Sequence, residues 1–335
     1  MKKLSLILIG LLLIPTLFLT SCDKGDDSAV NTTPAFTLLK DHMLANNLDL
    51  DKILTSPDGV SFVAGAPAEA DLPAFLAKYY IVDIRSAADF ASKRISGSKN
   101  VAFANILAEG ALAGSKPILV VCYTGQTACY ATALLRMSGY RNTQALKWGM
   151  SGWNSTTASA WNGKIGAEEA KGHANWSYDS APTNSVYSNP VISTLSTDGA
   201  AILKSRIEAV VAEGFKTVTG TEVLNTPTNY FVHNYFSAAD YAAFGHIKNA
   251  YRIQPLILAD NSYLGLDPNP NTKIVNYCYT GQTSAIVTAY LRVMGYNAHS
   301  MLFGINGLYN TNTAWTSNKW GVAPNVPKNL PFATN

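Results

Sequence analysis

The chain has 335 residues, of which 47% are hydrophobic, and this length is ample for two packed domains. Lysine and arginine total 25 against 22 aspartates and glutamates, which gives a net charge of +3. This near-balance excludes the strongly basic footprint of a nucleic-acid-binding protein, and no basic run beyond Lys2 and Lys3 indicates a polybasic membrane patch.

The first 21 residues have the pattern of a cleaved signal peptide. Lys2 and Lys3 precede the apolar run LSLILIGLLLIPTLFL, which is short for a membrane-spanning helix. The tetrapeptide LTSC then ends at Cys22 and resembles the lipobox of bacterial lipoproteins, in which that cysteine is lipidated after cleavage. An ordinary signal peptide that happens to end near a cysteine is the alternative. We expect a lipid anchor at Cys22 in the bacterial cell envelope, on the periplasmic face or the cell surface, followed by a flexible tether over residues 22–35.

The rest of the chain contains an internal repeat. The hexapeptide CYTGQT occurs at residues 122–127 and again at 278–283, and the segments on both sides of it recur in the same order. A repeat this long, present twice, predicts two tandem globular domains rather than a solenoid. We place the domains at residues 36–160 and 196–335, joined by a linker over 161–195 that is rich in Asn, Ser, Gly and Pro.

Each copy has the same order of predicted elements. The β-rich runs YYIVDIR and NYFVHNY are followed by SAAD, in which Ser86 or Ser237 can cap a short helix. The apolar runs KPILVVC and TKIVNYC are typical of buried parallel strands, and after the hexapeptide a helical spacing runs as far as a glycine. The runs NTQALKW and NAHSMLF predict one more strand, and the second copy is predicted to start with a helix capped near Ser196 or Asp198. This alternation predicts an α/β fold, with a parallel sheet flanked by helices in each copy.

The hexapeptide begins with a cysteine at the point where a buried strand ends. Cys122 and Cys278 should therefore lie at the carboxyl edge of a parallel sheet, where ligands bind in open α/β folds. The central glycine allows the loop to curl so that backbone N–H groups point inward and hold negative charge together with the helix N-terminus. We expect this environment to lower the pKa of the thiol, and we expect Thr127 and Thr283 to cap the helix start.

The loops and their flanks resemble the rhodanese family of sulfurtransferases, whose active loop is a cysteine plus five residues with a central glycine and a closing Thr, Ser or Arg. The resemblance covers most of residues 70–155 and 225–310. The matching positions of the first copy are Val82, Asp83, Arg85, Asp89, Phe90, Ile95, Gly97, Asn100, Gly139, Tyr140, Leu146, Gly149, Gly152 and Trp153. Those of the second copy are Asp240, Gly245, His246, Ile247, Asn249, Gly295, Tyr296 and Gly304.

The resemblance implies sulfur transfer without a metal or an organic cofactor. Cys122 or Cys278 would take a sulfane sulfur from thiosulfate, mercaptopyruvate or a persulfide and pass it, through a cysteine persulfide, to a thiol or a cyanide-like acceptor. The implied partners are such a small donor, a thiol acceptor and the membrane that holds the N-terminal lipid. The implied substrate-binding residues are Tyr123, Thr124, Gly125, Gln126, Thr127, Tyr279, Thr280, Gly281, Gln282 and Thr283.

The surroundings of the two loops differ. Asp83 and Arg85 are predicted to support the first loop, with Arg85 bringing positive charge, whereas the nearest equivalents in the second copy are predicted to be His233 and Tyr235. We therefore expect the first copy to be the more complete site and the second to be active, weakly active or mainly structural. Neither loop carries a basic side chain, so a persulfide or an organic donor fits as well as thiosulfate.

Two other functions are weighed against sulfur transfer. Phosphatases built on this fold have an arginine after the cysteine and five loop residues, but Ala128 and Ser284 occupy that position, which disfavours phosphate hydrolysis. The second alternative is a catalytically silent lipoprotein that uses the same fold to bind a protein or an anion.

Overall fold

The computed structural model describes residues 33–56 and 58–333. The predicted signal peptide, the lipidation residue Cys22 and most of the predicted tether lie outside the described residues. Within the described part of the chain, no helix is long and apolar enough to cross a bilayer.

The first copy forms the predicted α/β architecture. Its strands are β1 (Val63–Ala64), β2 (Tyr80–Asp83), β3 (Lys99–Asn100), β4 (Ile118–Val121) and β5 (Gln144–Leu146). Its helices are α1 (Ala35–Ala45), α2 (Leu50–Leu54), α3 (Leu72–Lys78), α4 (Ala87–Ser92), α5 (Glu109–Leu112), α6 (Gln126–Met137), α7 (Gly149–Trp153) and α8 (Ser159–Asn162). Short 3₁₀ helices span Glu69–Asp71, Phe103–Ala108 and Ser155–Thr157.

The second copy repeats this architecture after a short strand in the linker, β6 (Trp176–Ser177). Its strands are β7 (Thr217–Val218), β8 (Phe231–Asn234), β9 (His246–Ile247), β10 (Tyr251–Arg252), β11 (Ile274–Tyr277) and β12 (Ala298–Met301). Its helices are α9 (Gly199–Glu213), α10 (Gly220–Asn225), α11 (Ala238–Phe244), α12 (Gln282–Val293) and α13 (Gly304–Leu308). Short 3₁₀ helices span Pro227–Asn229 and Ser262–Gly265. The predicted first helix is confirmed as α9, whose N-cap is Asp198.

Each copy is built on a parallel sheet of five strands. The strand order is β1-β5-β4-β2-β3 in the first copy, and β7-β12-β11-β8-β10 is the same order in the second. The strands that precede the hexapeptides, β4 and β11, are central and buried along their whole length, as their apolar runs predicted. Both cysteines therefore lie at the carboxyl edge of a sheet, directly after its central strand.

The helices that follow the two hexapeptides pack against each other. Every residue of α6 except Thr127 is buried, and every residue of α12 except Thr283 is buried. A helix buried all round needs partners on more than one side. Here α6 and α12 each lie between their own sheet and the other helix, and this contact joins the two copies along their centres.

Other links between the copies were not evident from the sequence. Asp49 caps α2 in the first copy and also accepts hydrogen bonds from the backbone N–H of Leu258 and the hydroxyl of Tyr290 in the second. The C-terminal segment returns to the first copy, where the backbone N–H of Leu330 donates to the carbonyl oxygen of Trp153 at 3.0 Å. In the linker, β6 pairs antiparallel with β9 of the second copy.

Candidate active site

Each hexapeptide forms a tight loop between a central strand and a buried helix. Gly125 has φ 87° and Gly281 has φ 77°, which is the left-handed region that glycine enters at little cost. These two glycines are the N-cap residues of α6 and α12, and neither helix start has a side-chain cap. The prediction that Thr127 and Thr283 cap the helices is therefore wrong, because each threonine is already the second residue of its helix.

The sulfur atoms accept the backbone hydrogen bonds of the curled loops. Sγ of Cys122 accepts from the N–H groups of Gly125 at 3.1 Å and Ala128 at 3.3 Å. Sγ of Cys278 accepts from the N–H of Ser284 at 3.2 Å. Inward-pointing amides of this kind stabilise negative charge at the sulfur, as predicted for the loop. The first loop directs more of these donors at its sulfur than the second.

The helix α7, which follows the strand β5, holds the backbone of the first loop by hydrogen bonds. The backbone N–H of Met150 donates to the carbonyl oxygen of Cys122 at 2.8 Å, and the N–H of Ser151 donates to that of Tyr123 at 3.1 Å. Gly149 comes so close that a β-carbon there would collide with the Cys122 carbonyl oxygen and lie 2.7 Å from the nitrogen of Gly125. The loop carbonyls thus turn outward toward α7 while its amides turn inward toward the sulfur.

The second copy repeats this contact with α13. The backbone N–H groups of Ile305 and Asn306 donate to the carbonyl oxygens of Cys278 at 3.1 Å and Tyr279 at 3.0 Å. A β-carbon at Gly304 would collide with the Cys278 carbonyl oxygen. Gly149 and Gly304 are therefore required, because at both sites the two backbones approach too closely for a side chain.

The tyrosines of the two loops make the same hydrogen bond in different surroundings. The hydroxyl of Tyr123 donates to Asp89, and that of Tyr279 donates to Asp240. Hydrogen bonds from Ser86 and Tyr123 lower the pKa of Asp89. The side chain of Tyr123 is 41% exposed, which makes the first loop the more accessible of the two.

In the second copy, aromatic rings cover the equivalent tyrosine. Phe236 stacks on the ring of Tyr279 with centroids 4.2 Å apart, and Phe244 packs edge-on at 5.7 Å. Cys278 is fully buried, whereas Cys122 is 3% exposed. Both thiols are thus buried, and the second loop is in addition covered by aromatic rings.

The glutamines of the loops lie at the interface between the copies. Oε1 of Gln126 accepts a hydrogen bond from the backbone N–H of Phe303 at 2.8 Å, and Nε2 of Gln282 donates to the carbonyl oxygen of Thr124 at 3.3 Å. Nε2 of Gln126 also donates to Oγ1 of Thr124 at 3.1 Å. Thr280 is buried as well, and its Oγ1 accepts from the N–H of Gln282 at 3.2 Å. Among the predicted loop residues, the two glutamines therefore connect the loops with each other.

An aromatic cluster that the sequence pattern alone does not connect with the loops closes this interface. Trp148, Trp161, Trp320 and Phe303 pack together, and the indole N–H of Trp161 donates to the carbonyl oxygen of Thr124 at 3.0 Å. Trp148 and Phe303, which immediately precede Gly149 and Gly304, both have positive φ, 66° and 63°. The sequence does contain a signal for this cluster, because a bulky aromatic residue precedes Gly149 in the first copy and Gly304 in the second.

Arg85 does not bring free positive charge to the first loop. Its guanidinium forms a buried ion pair with Asp83, with Nη2 2.7 Å from Oδ2 and Nε 3.0 Å from Oδ1. Nη2 also donates to the carbonyl oxygen of Lys93 at 2.6 Å, and the guanidinium lies 5.8 Å from the ring centre of Tyr123. The pair is nearly neutral, because Asp83 offsets the positive charge that Arg85 was predicted to bring to the first loop.

Strand register corrects the predicted counterparts of Asp83 and Arg85. Asp83 pairs with Val121, the residue before Cys122. In the second copy the residue paired with Tyr277, just before Cys278, is Asn234. The counterparts are therefore Asn234 and Phe236, and the prediction of His233 and Tyr235 is one residue out of register.

The thiol of Cys122 has the opposite pKa shift from the one predicted. Burial raises its pKa most strongly, the amides of Ala128, Thr124 and Gly125 lower it, and the negative charge of Asp83 raises it further. The net direction is upward because removal from water outweighs the amides. The first thiol is therefore mostly protonated in the resting protein near neutral pH.

At both loops a small side chain occupies the position of the phosphatase arginine. In residues 33–56 and 58–333 there is no group of three His, Cys, Asp or Glu side chains that could hold a metal ion. Ala128 and Ser284, at the position where the related phosphatases have an arginine, are fully buried and offer no cation to a phosphate.

Comparison with known proteins connects both loops to one family. The rhodanese-like domain model matches residues 68–156 and 236–311, and each matched segment contains one hexapeptide. No curated protein matches the chain.

The solved structures that match this chain include three from different organisms. A thiosulfate sulfurtransferase from Pseudomonas aeruginosa is 14% identical, with 85% of this chain and 49% of that chain covered and a TM-score of 0.28. A 3-mercaptopyruvate sulfurtransferase from Leishmania major is 14% identical, with 72% of each chain covered and a TM-score of 0.26. A rhodanese-related protein from Thermoplasma volcanium is 17% identical, with 26% of this chain and 85% of that chain covered and a TM-score of 0.21. The present chain thus spans about half the length of the Pseudomonas protein.

Proposed function

Since the chain carries two rhodanese-like domains, we propose that it is a sulfurtransferase that moves a sulfane sulfur from a small donor, through a cysteine persulfide, to a thiol or a cyanide-like acceptor. The observation that carries this proposal is the position of Cys122 at a strand end, with the N–H groups of Gly125 and Ala128 directed at its sulfur. Such donors stabilise the charge that develops on sulfur during transfer.

The transfer takes place in two displacements at sulfur. The Cys122 thiolate attacks the outer sulfur of the donor, a new S–S bond forms, and the donor's bond to that sulfur breaks so that its electron pair leaves with the remainder of the donor. An acceptor thiolate or cyanide then attacks the outer sulfur of the persulfide. This second step breaks the S–S bond and returns the Cys122 thiolate, so the chain needs no external oxidant or reductant.

The first copy is the working site in this proposal. Tyr123 at its rim is 41% exposed, so a small donor can approach that loop. Cys278 is fully buried, and Tyr279 beside it lies under Phe236. The second copy then serves mainly to hold the first loop through Gln282 and the packed α12.

A specific observation also favours the rival function. Cys122 and Cys278 are both shielded from solvent, and burial raises the pKa of Cys122. A binding module that uses the fold without turnover would tolerate both properties. The rival is therefore a silent module that binds a protein or an anion.

Sulfur-transfer assays separate these functions. The assays compare the wild-type chain with Cys122→Ser, Cys278→Ser and the double variant, using thiosulfate, 3-mercaptopyruvate and a low-molecular-weight persulfide as donors. The proposal predicts that Cys122→Ser abolishes transfer while Cys278→Ser keeps most of it. The absence of transfer with every donor contradicts the enzyme proposal, and a greater loss in Cys278→Ser contradicts the assignment of the working site.

Lipid anchoring through Cys22 remains part of the proposal. The supporting pattern is the apolar segment that ends in LTSC, in the sequence alone. The test is incorporation of a tagged fatty acid in bacteria that express the wild-type chain or Cys22→Ser. We expect label in the wild-type chain only, and equal label or no label in both chains contradicts the anchor.

A further inference from the structure

The rim of the first hexapeptide loop carries an exposed carboxylate. Oδ2 of Asp89, in the first turn of α4, accepts hydrogen bonds from the hydroxyl groups of Tyr123 and Ser86. Tyr123 directly follows Cys122 in the chain, and its hydroxyl also accepts from the backbone N–H of Ser86 at 3.2 Å. Asp89 is therefore tied to the residue next to the nucleophile.

Asp89 is negatively charged near neutral pH. The hydrogen bonds from Ser86 and Tyr123 and the positive charge of Arg85 lower its pKa, and slight desolvation opposes them. Asp89 forms no ion pair with a lysine, arginine or histidine among the residues that the structure describes. Its charge is therefore available to act on a molecule that approaches Tyr123.

Arg85 does not offset this charge, because it is already paired. Its guanidinium lies 5.8 Å from the ring centre of Tyr123 but donates three hydrogen bonds to the carboxylate of Asp83. The negative charge of Asp83 also acts on the thiol of Cys122, whose pKa it raises. The loop itself carries no lysine, arginine or histidine. Asp83, Arg85 and Asp89 together thus leave a net negative charge at this site.

Two cations that follow α4 in the chain lie over aromatic rings. Nζ of Lys93 lies 5.7 Å from the ring centre of Phe332, and the guanidinium of Arg94 lies 5.4 Å from the ring centre of Phe90. Asp89, by contrast, hydrogen-bonds directly to the first loop. The charge in direct contact with this loop is thus negative.

We propose that Asp89 is a specificity-determining residue of the first site, which favours sulfur donors with a cationic group close to the transferred sulfur over donors that are anionic there. This inference rests on the proposed function and concerns the choice of donor by the same site. An amine-bearing persulfide belongs to the favoured class. Thiosulfate and 3-mercaptopyruvate would still react at Cys122, but more slowly than without Asp89, because like charges repel across the rim.

The charge preference can be measured without turnover. Methanethiosulfonate reagents that carry a trimethylammonioethyl or a sulfonatoethyl group differ in charge but react alike: the Cys122 thiolate attacks the sulfenyl sulfur, a disulfide forms, and methanesulfinate leaves with the electron pair. The full chain carrying Cys129→Ala and Cys278→Ser is used, and modification of Cys122 is followed by peptide mass spectrometry. We expect the ratio of the cationic to the anionic rate to be roughly fivefold higher than in the urea-unfolded chain, since a unit charge several ångströms away in water changes each rate about two- to threefold.

Asp89→Asn in the same background keeps an acceptor for Tyr123 but removes the charge, so the ratio should fall to that of the unfolded chain. With Asp89 present, the preference should shrink at about 1 M salt, where the Debye length is about 3 Å. The matched control is Glu208→Gln, which removes a carboxylate that pairs with Lys204 on the exposed face of α9. Glu208 lies beside Met137, at the end of α6 that is roughly 16 Å from the loop. This control should leave the ratio unchanged.

A ratio that is equal with Asp89 and with Asp89→Asn overturns the inference. In the transfer assay, the persulfides of cysteamine and of 3-mercaptopropionate carry opposite charges beside the same transferred sulfur. The wild-type chain should prefer the cysteamine persulfide in kcat/KM by roughly fivefold more than Asp89→Asn does. A charge preference at Cys122 in a chain that transfers sulfur from no donor overturns the proposed function and leaves Asp89 as the residue that selects the charge of molecules at this loop.

Discussion

Gln126 of the first loop accepts a hydrogen bond from the backbone N–H of Phe303 in the second copy, with Oε1 and N 2.8 Å apart. Gln282 makes the reciprocal connection, from Nε2 to the carbonyl oxygen of Thr124. Each glutamine also lies against the other loop's glycine, because a β-carbon at Gly125 would be 2.6 Å from Nε2 of Gln282. The two hexapeptides are therefore parts of one interface.

Truncation of Gln126 should weaken the whole unit. Gln126→Ala leaves the partly buried N–H of Phe303 without its acceptor, which costs about 1 kcal/mol, the lower end of the range for unsatisfied buried donors. The expected result is a fall of that size in the free energy of unfolding, measured by urea denaturation. Lys204→Met is the exposed control and should change it by less than about 0.5 kcal/mol. If Gln126→Ala is as stable as this control, the interface does not depend on the glutamine.

Any side chain at Gly149 should disrupt the first loop, because its β-carbon would collide with the loop backbone and the positive φ would be strained as well. In Gly149→Ala the new methyl group meets the backbone of Cys122 and Gly125, so the loop and α7 must separate. We expect loss of sulfur transfer and a destabilisation of about 3 kcal/mol or more, measured by donor assay and urea denaturation.

Gly97→Ala is the matched control for Gly149→Ala. Gly97 also has positive φ, 74°, but a β-carbon there meets nothing within 4 Å. Its substitution should cost only the backbone strain, about 1–2 kcal/mol, and should leave transfer intact. Equal effects of the two substitutions would show that contact with the loop is unimportant.

The stability of the fold should depend on Asp83 and Arg85 being present together. Arg85→Phe leaves the carboxylate of Asp83 buried without a partner, and breaking a buried pair in this way costs about 3–5 kcal/mol. The second copy already has Asn234 and Phe236 at these positions. The double variant Asp83→Asn with Arg85→Phe should therefore recover much of the loss in urea denaturation. A double variant no more stable than Arg85→Phe contradicts this role of the buried charge.

Alkylation of Cys122 should show a raised pKa. The thiolate is the reactive form, and its fraction rises with pH, so a raised pKa moves the rise in rate to higher pH. We expect the rate of iodoacetamide modification at Cys122, followed by peptide mass spectrometry, to keep rising past pH 9. The same cysteine in the urea-unfolded chain should reach half its maximal rate near pH 8.5. A plateau near neutral pH in the folded chain would show that the loop amides outweigh burial.

The fold was largely predictable because its signals are local. The runs ILVV and IVNY lie in strands that are buried on both faces, and such strands need apolar side chains throughout. The internal repeat added long-range information, since one assignment had to suit both copies. The return of the C-terminal segment to Trp153 was not predictable, because it depends on contacts between residues far apart in the chain.

The site was predictable only in part. The position of Cys122 and the inward amides follow from strand, glycine and helix order, whereas the partner of Gln126 lies in the other copy. The pKa direction failed because burial depends on how α6 packs against α12, which no loop sequence reports. The counterpart of Arg85 was misplaced by one residue, because Tyr235 and Phe236 are similar in type and only the strand register separates them.

The most direct test of sulfur transfer through Cys122 is the mass of the protein after exposure to a donor. The chain is incubated with thiosulfate or 3-mercaptopyruvate, freed of excess donor, and measured intact and after digestion. We expect a gain of one sulfur atom on the peptide that contains Cys122, lost on treatment with cyanide and absent in Cys122→Ser. No added sulfur on Cys122 or Cys278 with either donor or with a low-molecular-weight persulfide would contradict it.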